Sequence, residues 1–284
     1  MHFAKKLFYA VVILIAATTL LSAQKLKAED VIAKHLESIG TAEARAATKN
    51  MIAVGTGTSK YLSTADLSAD GRIVIASEGP KFFLGINLTA TSTRFADELF
   101  TFDGENGGAA SPRQGQRSNL GTFVQANKMM IDQGLFGGEL STGWVMENIS
   151  ENKGKIAYAG IKKIDGTEMY ALDYSKKGGG DIEVTLYFDK SNFRHLRTEY
   201  KRMSSAGIGS KPEYSSQYIE TRFKIIEEFG DHRPEGGLTL PHSYRIVYSS
   251  SGQSGTVEAE WKFAMSEFAK NQKFDPSTFK APSN

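Results

Sequence analysis

Apolar and polar positions alternate with a period of two along most of the chain after residue 50, which predicts antiparallel strands. Residues 182–188 show the pattern cleanly, with apolar side chains at the even positions. Similar segments lie at 82–88, 219–225 and 257–265. About ten such segments, each with one apolar and one polar face, indicate a sheet that contacts water on one side and is large enough to curl.

Three other segments have helical spacing. Residues 29–39 predict a helix that ends at Gly40, and residues 41–49 predict a short second helix capped by Thr41. A third helix is predicted over 119–133. The predicted fold class is therefore mainly β (α+β): a curved antiparallel half-barrel of about ten strands with covering helices and an apolar concavity. An ordinary barrel filled by side chains is the alternative, and alternation alone does not decide between them.

The insertion between the two groups of strands carries large apolar side chains that no strand requires. Its methionines can adapt to irregular partners, and its glycines allow the backbone to move. Burial of an acyl chain contributes about 0.8 kcal/mol per methylene, so an apolar groove can bind lipid without a polar motif. We interpret the insertion as a lid, with a simple cap on the core as the alternative. The candidate lipid-binding residues are Phe82, Leu84, Ile86, Met129, Met130, Leu135, Phe136, Trp144, Leu186, Phe223 and Trp261.

The first 23 residues have the layout of a secretory signal peptide. Lys5 and Lys6 precede an apolar run of about 15 residues, shorter than the roughly 20 of a spanning helix, and small residues end at Ala23. We therefore expect an exported, periplasmic protein that is cleaved near Ala23 and forms one domain over residues 24–284. An uncleaved membrane anchor is the alternative.

Charge and cysteine content exclude several classes of protein. The chain has no cysteine, so it has no disulfides and no cysteine metal site, and Gln24 stands where a lipoprotein would carry its acylated cysteine. Removal of residues 1–23 lowers Lys plus Arg from 34 to 32, which equals the number of Asp plus Glu. A net charge near zero argues against nucleic-acid binding, which needs a basic surface.

The histidines show no catalytic or metal-binding spacing. His195, His232 and His242 are far apart in the sequence, and none belongs to an HExxH-type motif. His195 is predicted to face away from Tyr200 on its strand. His35 is expected at the surface of the first helix.

Other motifs have simpler explanations than catalysis. Gly252-Gln253-Ser254-Gly255 approaches a nucleophile turn but lies between two strands, where a hairpin explains it. Glu227 and Glu228 are adjacent, so they lie on opposite faces of a strand and cannot act together. We expect no enzyme activity, no metal site and no cofactor.

A family resemblance joins several of these features. They are the first helix at 29–36, the Asp103-Gly104 turn before a helical insertion, YFDKSNFRHLR at 187–197 and FDPSTFKAP at 274–282. Together they resemble the LolA/LolB-like superfamily of periplasmic lipoprotein carriers and lipoprotein-sorting proteins. The resemblance implies a half-open barrel closed by helices, with a cavity for acyl chains and without cofactor or catalysis.

Two features depart from this resemblance or stay unassigned. In the carrier a strand arginine is thought to hold the lid closed, and Arg72, Arg94 and Arg222 are all candidates here, so none is assigned. The chain is also longer than a typical carrier around 111–143 and 203–216.

Three functions follow as hypotheses. The first is a monomeric periplasmic carrier of lipid or acylated lipoprotein, working with inner- or outer-membrane transport components and not with nucleic acid. It requires an apolar cavity connected to solvent. The second is an envelope sensor or scaffold that binds proteins through the same sheet, with a filled core and an exposed apolar patch. The third is a secreted hydrolase, which would need His195, His232 or His242 to converge with an acid and a serine.

Overall fold

The computed structural model describes residues 26–63, 67–89, 95, 97–110, 118–149, 154–176, 178–204, 220–253 and 255–281. The predicted signal peptide, Arg94 and residues 111–117 and 205–216 of the extra segments lie outside the described residues. None of the helices in the described ranges is long and apolar enough to cross a membrane.

One antiparallel sheet of twelve strands forms the body of the described chain. The strands are β1 (Asn50–Tyr61), β2 (Ser68–Glu78), β3 (Lys81–Leu88), β4 (Glu98–Phe102), β5 (Gly107–Ala110), β6 (Gly154–Ile164), β7 (Thr167–Lys176), β8 (Ile182–Asp189), β9 (His195–Ser204), β10 (Thr221–Glu235), β11 (Leu238–Gly252) and β12 (Gly255–Lys270). Their spatial order is β5-β4-β3-β2-β1-β12-β11-β10-β9-β8-β7-β6. This open, curved sheet confirms the predicted fold class.

The predicted strand number is wrong, since the sheet has twelve strands. β5 is a short run of glycine and alanine, which gives no alternation. β11 contains Pro241 and ends in serines, and these residues are typical of turns and not of a central strand. The Gly252–Gly255 turn connects β11 and β12, as predicted. The Asp103-Gly104 turn is also present, but it connects β4 to β5, a strand that was not predicted.

The helices differ from their predicted bounds in one informative place. α1 (Ala28–Ile39) and α2 (Ala42–Ala47) lie where expected, and the Thr41 side chain caps α2 by accepting a hydrogen bond from the Ala44 amide. The predicted helix over 119–133 is instead divided into α3 (Asn119–Ala126) and α4 (Met129–Asp132). Asn127 interrupts it because its side-chain amide donates to the Phe123 carbonyl at 2.7 Å and competes with the helix backbone.

The segment that contains α3 and α4 joins the two opposite edges of the sheet. β5 and β6 are consecutive strands in the chain but lie at the two ends of the strand order. Neighbouring strands are about 4.8 Å apart, so the edges of a flat twelve-stranded sheet would be roughly 50 Å apart. We call residues 118–149 the cap segment; it also contains a 3₁₀ helix, Gly138–Leu140.

Contacts of the cap segment with distant strands reflect the curvature of the sheet. The Gly137 amide donates to Glu227 on β10 at 2.8 Å, and a Cβ at Gly137 would lie 3.1 Å from the Phe82 ring on β3. β3 and β10 are five positions apart in the strand order, about 24 Å in a flat sheet. The sheet therefore curls around the cap segment, which packs against its concave, or inner, face.

Candidate functional site

The inner face and the cap segment share one apolar core. All eleven candidate lipid-binding residues lie in or against this cluster. Nine of them are buried, and Met129 and Phe223 are half-buried. The structure therefore brings these residues together, but in a closed arrangement in which side chains fill the concavity. Their role in lipid binding stays a prediction.

Two cavities border members of this set. One of about 290 Å³ lies between α2, the cap segment and β11, and Trp144, Glu139 and Leu238 are among its lining residues. A second, of about 980 Å³, lies at the ends of β8 to β12 and is lined by Phe223 among mostly polar and charged residues. Each of these two cavities is lined by only one of the eleven candidate lipid-binding residues, Trp144 in the first and Phe223 in the second.

Glu227 places a carboxylate at the centre of the inner face, where alternation along β10 would place an apolar side chain. Its side chain accepts hydrogen bonds from the Tyr200 hydroxyl at 2.7 Å, from the Tyr244 hydroxyl and from the Gly137 amide at 2.8 Å. Glu227, Tyr200 and Tyr244 are all fully buried. The carboxylate therefore connects the cap segment to two strands that flank β10.

Burial dominates the electrostatics of this carboxylate. It raises the pKa of Glu227 to about 7, although the three hydrogen bonds favour the charged form. Burial and the nearby Glu227 charge also raise the pKa of Tyr200 and Tyr244 well above the ordinary range, so both hydroxyls stay protonated and act as donors. Near neutral pH, Glu227 is thus poised between a carboxylate and a carboxylic acid.

Two consecutive glycines bring the cap segment close to the inner face. Gly137 has φ +84° and Gly138 has φ +52°, conformations that glycine adopts most readily. A Cβ at Gly138 would lie 2.8 Å from the Phe229 ring and 3.2 Å from His195 Nδ1. Because neither residue has a side chain, the backbone can approach Glu227 and His195 directly.

A second buried acid, Glu139, attaches the cap segment to histidines. His232 Nε2 lies 2.6 Å from Glu139 Oε1, and His35 Nε2 lies 3.9 Å from Glu139 Oε2. His35 also accepts a hydrogen bond from Trp144 Nε1 at 2.9 Å, while its Nδ1 donates to the Phe193 carbonyl at 3.1 Å. Both ring nitrogens of His35 are therefore satisfied in one neutral tautomer.

The expectation that His35 lies at the surface is wrong, because its side chain is completely buried. The buried residues of α1 are Ala28, Val31, His35 and Ile39. The helical spacing predicted an apolar stripe of Ile32, Leu36 and Ile39; Ile39 is buried, whereas Ile32 and Leu36 are only partly buried. A search for apolar residues at helical spacing overlooks His35, which can occupy a core position because both of its ring nitrogens are hydrogen-bonded.

His195 is also placed differently from its prediction. A β-bulge beside Tyr187 and Phe188 shifts the register between β8 and β9. The shift turns His195 to the inner face together with Tyr200, and both are fully buried. His195 packs between the rings of Trp144 and Phe229, at centroid distances of 4.8 and 4.6 Å.

One ring nitrogen of His195 has no hydrogen-bond partner among the described residues. Nε2 lies 3.1 Å from the Arg197 carbonyl, which can only accept, so Nε2 carries the proton. Nδ1 is then an unprotonated acceptor, and it is buried beside Gly138 without a donor. Burial lowers the pKa of His195 well below its usual value and also lowers the pKa of His35, so both rings are neutral at neutral pH.

The histidines do not form a hydrolytic or metal site in the described part of the chain. His35 and His232 lie beside Glu139, but among the described residues no serine hydroxyl contacts either imidazole ring, and the hydroxyl that contacts the His195 ring is that of Thr198. His242 lies apart and contacts the Met265 carbonyl. No group of three or more described His, Asp or Glu side chains could hold a metal ion.

The outer face carries ions and a small apolar cluster. Glu228 pairs with Arg197 and Arg245, each at 2.6 Å, in a ladder across β9, β10 and β11. The buried residues of the apolar cluster are Met169, Ala171 and Tyr187, packed against Ala159, Ile164 and Leu196. Glu227 and Glu228 thus face opposite sides of the sheet, as predicted.

The sequence contains one overlooked signal for this site. Phe223, Ile225, Glu227 and Phe229 occupy alternate positions of β10, and all face inward. The predicted apolar face ended at Ile225, so Glu227 was placed on a strand without being recognised as the next inward position of that face. Extending the alternation by four residues identifies Glu227 as a buried acid that needs a partner.

Comparison of the sequence with protein families and with curated proteins gives no match. Several solved structures are similar. A DUF1329 family protein from Desulfovibrio piger ATCC 29098 has TM-score 0.47 at 10% identity, with 89% of this chain and 95% of that chain covered. The LolA superfamily protein NE2245 from Nitrosomonas europaea has TM-score 0.42 at 15% identity, covering 90% and 98%.

A putative outer membrane lipoprotein-sorting protein domain from Vibrio parahaemolyticus has TM-score 0.44 at 14% identity, covering 88% of this chain and 97% of that one. The superfamily that the sequence resembles is thus represented among the similar structures. With TM-scores below 0.5, these likenesses do not decide a function, which depends on the chain's own contacts.

Proposed function

We propose that this protein is a periplasmic carrier that binds the acyl chains of a lipid or lipoprotein on its inner face, with the cap segment as the lid. The observation that carries the proposal is how the concavity is closed. One connecting segment covers the apolar face, and buried polar contacts at Glu227, Glu139 and His35 attach it there. A cap that never leaves the core would not need these buried polar contacts, because apolar packing alone could hold it in place.

The magnitudes limit how much of the lid one acyl chain can replace. Eleven apolar side chains of the cap segment are buried, and each loses about 1.5–3 kcal/mol on leaving the core. Displacement of the four candidate lipid-binding residues among them (Met130, Leu135, Phe136 and Trp144) costs about 6–12 kcal/mol, and an acyl chain of about 14 methylenes contributes on the order of 11 kcal/mol on burial. One chain can therefore compensate for displacement of this part of the lid, whereas release of the whole cap segment needs more apolar ligand.

The two tryptophans provide a direct test, because Trp144 lies on the lid and Trp261 on the inner face of β12. In a Trp144→Phe variant, only Trp261 fluoresces. We expect a brominated fatty acid to quench Trp261, whereas the same fatty acid without bromine does not. In a Trp261→Phe variant, ligand should shift the Trp144 emission to longer wavelength as the lid enters water.

Binding without quenching would place the ligand outside the concavity and reject the lid mechanism. Purification of the periplasmic protein followed by native mass spectrometry and lipid extraction provides the second readout. A protein that arrives empty and takes up no acyl chain would reject the carrier function.

A sensor or scaffold is the second candidate, and the filled core of the described residues favours it. The apolar cluster on the outer face of β6 to β9 is itself buried, so it is not the exposed apolar patch that this function predicts. This function needs no movement of the cap segment. It therefore predicts normal partner binding when the lid is locked, whereas lipid uptake requires an unlocked lid.

A further inference from the structure

The turn at Gly137 and Gly138, which we call the lid turn, covers two hydrogen-bond acceptors on the inner face. These acceptors become accessible when the cap segment leaves. Glu227 accepts one of its three hydrogen bonds, at 2.8 Å, from the Gly137 backbone amide, which belongs to the lid and not to a strand of the sheet. Release of the lid removes this donor, while the Tyr200 and Tyr244 hydroxyls stay on the sheet. A buried carboxylate that loses a donor is strongly destabilised unless a new donor replaces it.

A second acceptor faces the same turn. His195 Nδ1 lies 3.2 Å from the position of a Cβ on Gly138 and has no donor among the described residues. The histidine is completely buried, so water does not satisfy this nitrogen from the surface. The inner face thus presents two acceptors, Glu227 and His195, to whatever replaces the turn.

The charges around these acceptors favour a cation. The groups that act on the Glu227 carboxyl are Tyr244, Tyr200 and the Gly137 amide, and no described lysine or arginine is among them. Another buried acid on the lid, Glu139, contacts His232 and His35. An anionic head group would meet a carboxylate without a compensating positive charge.

We propose that the ligand is an amphiphile with a primary ammonium group, which binds Glu227 and His195 in place of the lid turn while its acyl chain lies along the inner face. This inference rests on the proposed carrier function and adds the chemical class of the ligand. An ammonium has three donors and no acceptor, which matches two facing acceptors. The Phe229 ring on β10 packs on His195, stays on the sheet when the lid leaves, and would limit the access of water to the pair.

Three ligands with the same chain test the head group: dodecylamine, dodecanol and dodecanoate, titrated calorimetrically at pH 8 at concentrations at which each is dissolved as a monomer. We expect dodecylamine to bind about tenfold more tightly than the other two, since hydrogen bonds to a charged group are worth more than neutral ones. The Glu227→Gln variant should lose this preference. The matched control is Glu228→Gln, one residue away on the outer face, which should keep it.

A pH series on the unmodified protein gives the same information without a substitution. Lowering the pH from 8 to 5.5 should remove the preference for dodecylamine, because Glu227, with a pKa of about 7, takes up a proton. The groups that face Glu227 and His195 are Tyr200, Tyr244, His35, His232 and Glu139; the two tyrosines keep their protons throughout this range. Dodecanol, which has no charge, serves as the reference at each pH.

The outcomes separate the two proposals. Equal binding of all three ligands, tighter binding of dodecanoate, or an undiminished preference in Glu227→Gln would overturn the ammonium assignment and leave the carrier function intact. Failure of all three chains to bind would overturn both.

Discussion

Glu227 and Glu228 are neighbours in the sequence, yet they occupy the two most different environments of the sheet. Glu228 lies on the outer face between two arginines, and its side chain is 28% exposed. Glu227 lies on the inner face with three neutral donors and no exposure. Because successive strand residues face opposite sides, a single position decides whether a carboxylate is a solvated ion-pair partner or a buried group that depends on the lid.

This difference suggests distinct roles for the two faces. The outer ladder of charges keeps one surface of a large sheet in water, where ion pairs contribute little to stability. The inner carboxylate is costly to bury, and its third donor comes from the cap segment, which we propose leaves the sheet when ligand binds. Substitutions at the two positions should therefore have very different effects.

The largest effect is expected from removal of the Glu227 carboxylate. In Glu227→Ala, the Tyr200 and Tyr244 hydroxyls and the Gly137 amide lose their acceptor inside the core. We expect the free energy of unfolding to fall by about 3 kcal/mol, since each buried unsatisfied donor costs about 1–3 kcal/mol. Urea denaturation at pH 8 measures the change, and a loss below about 1 kcal/mol would contradict a buried and satisfied carboxylate.

The free energy of unfolding should depend on pH through the titration of Glu227. The pKa of Glu227 is raised from 4.5 to about 7, so the folded protein holds this proton more tightly than the unfolded chain does. Protonated Glu227 therefore stabilises the fold fully below pH 4.5, and this stabilisation is lost as the pH rises to 7. Relative to Glu227→Gln, the unmodified protein should therefore lose about 2 kcal/mol between pH 5 and pH 8. His35 and His195 act in the opposite direction, since their lowered pKa values reduce stability below pH 6.5.

These histidines are present in both proteins, so the difference between the two stability curves isolates Glu227. A difference that stays constant from pH 5 to pH 8 would show that the Glu227 carboxyl does not titrate in this range.

Substitution of Gly138 should loosen the lid by a smaller amount. In Gly138→Ala, the new Cβ would lie 2.8 Å from the Phe229 ring at a φ of +52°, so both contact and backbone are strained. We expect a loss of about 1–2 kcal/mol, together with increased binding of an apolar dye. Gly160→Ala is the control, since Gly160 also has a positive φ but has nothing within 4 Å of a Cβ. Equal losses in the two variants would argue against a close fit of the lid turn.

The smallest effect is expected on the outer face. Glu228→Gln removes the charge between Arg197 and Arg245, and we expect a loss of about 0.5 kcal/mol that decreases further at 1 M salt. Thermal denaturation at low and high salt checks this. A loss as large as that of Glu227→Ala would mean that the two faces do not differ as described.

The sequence predicts the sheet far better than it predicts the site. Strands such as β8 alternate cleanly because one side faces the core and the other faces water, and this pattern is visible without any partner. The lid turn, in contrast, depends on contacts with β3 and β10, which are far apart in the sequence. The position of His195 depends on a bulge that shifts its register, and alternation places such a residue on the wrong face.

A reversible lock on the lid tests whether the concavity opens. The chain has no cysteine, and the Thr142 amide donates to Ser77 Oγ at 2.9 Å, so a Ser77→Cys/Thr142→Cys pair can join the lid to β2 through one new disulfide. We expect the oxidised protein to take up no fluorescent fatty acid and the same sample to bind it after reduction. Equal uptake in the oxidised and reduced forms would contradict a carrier that opens by release of the cap segment.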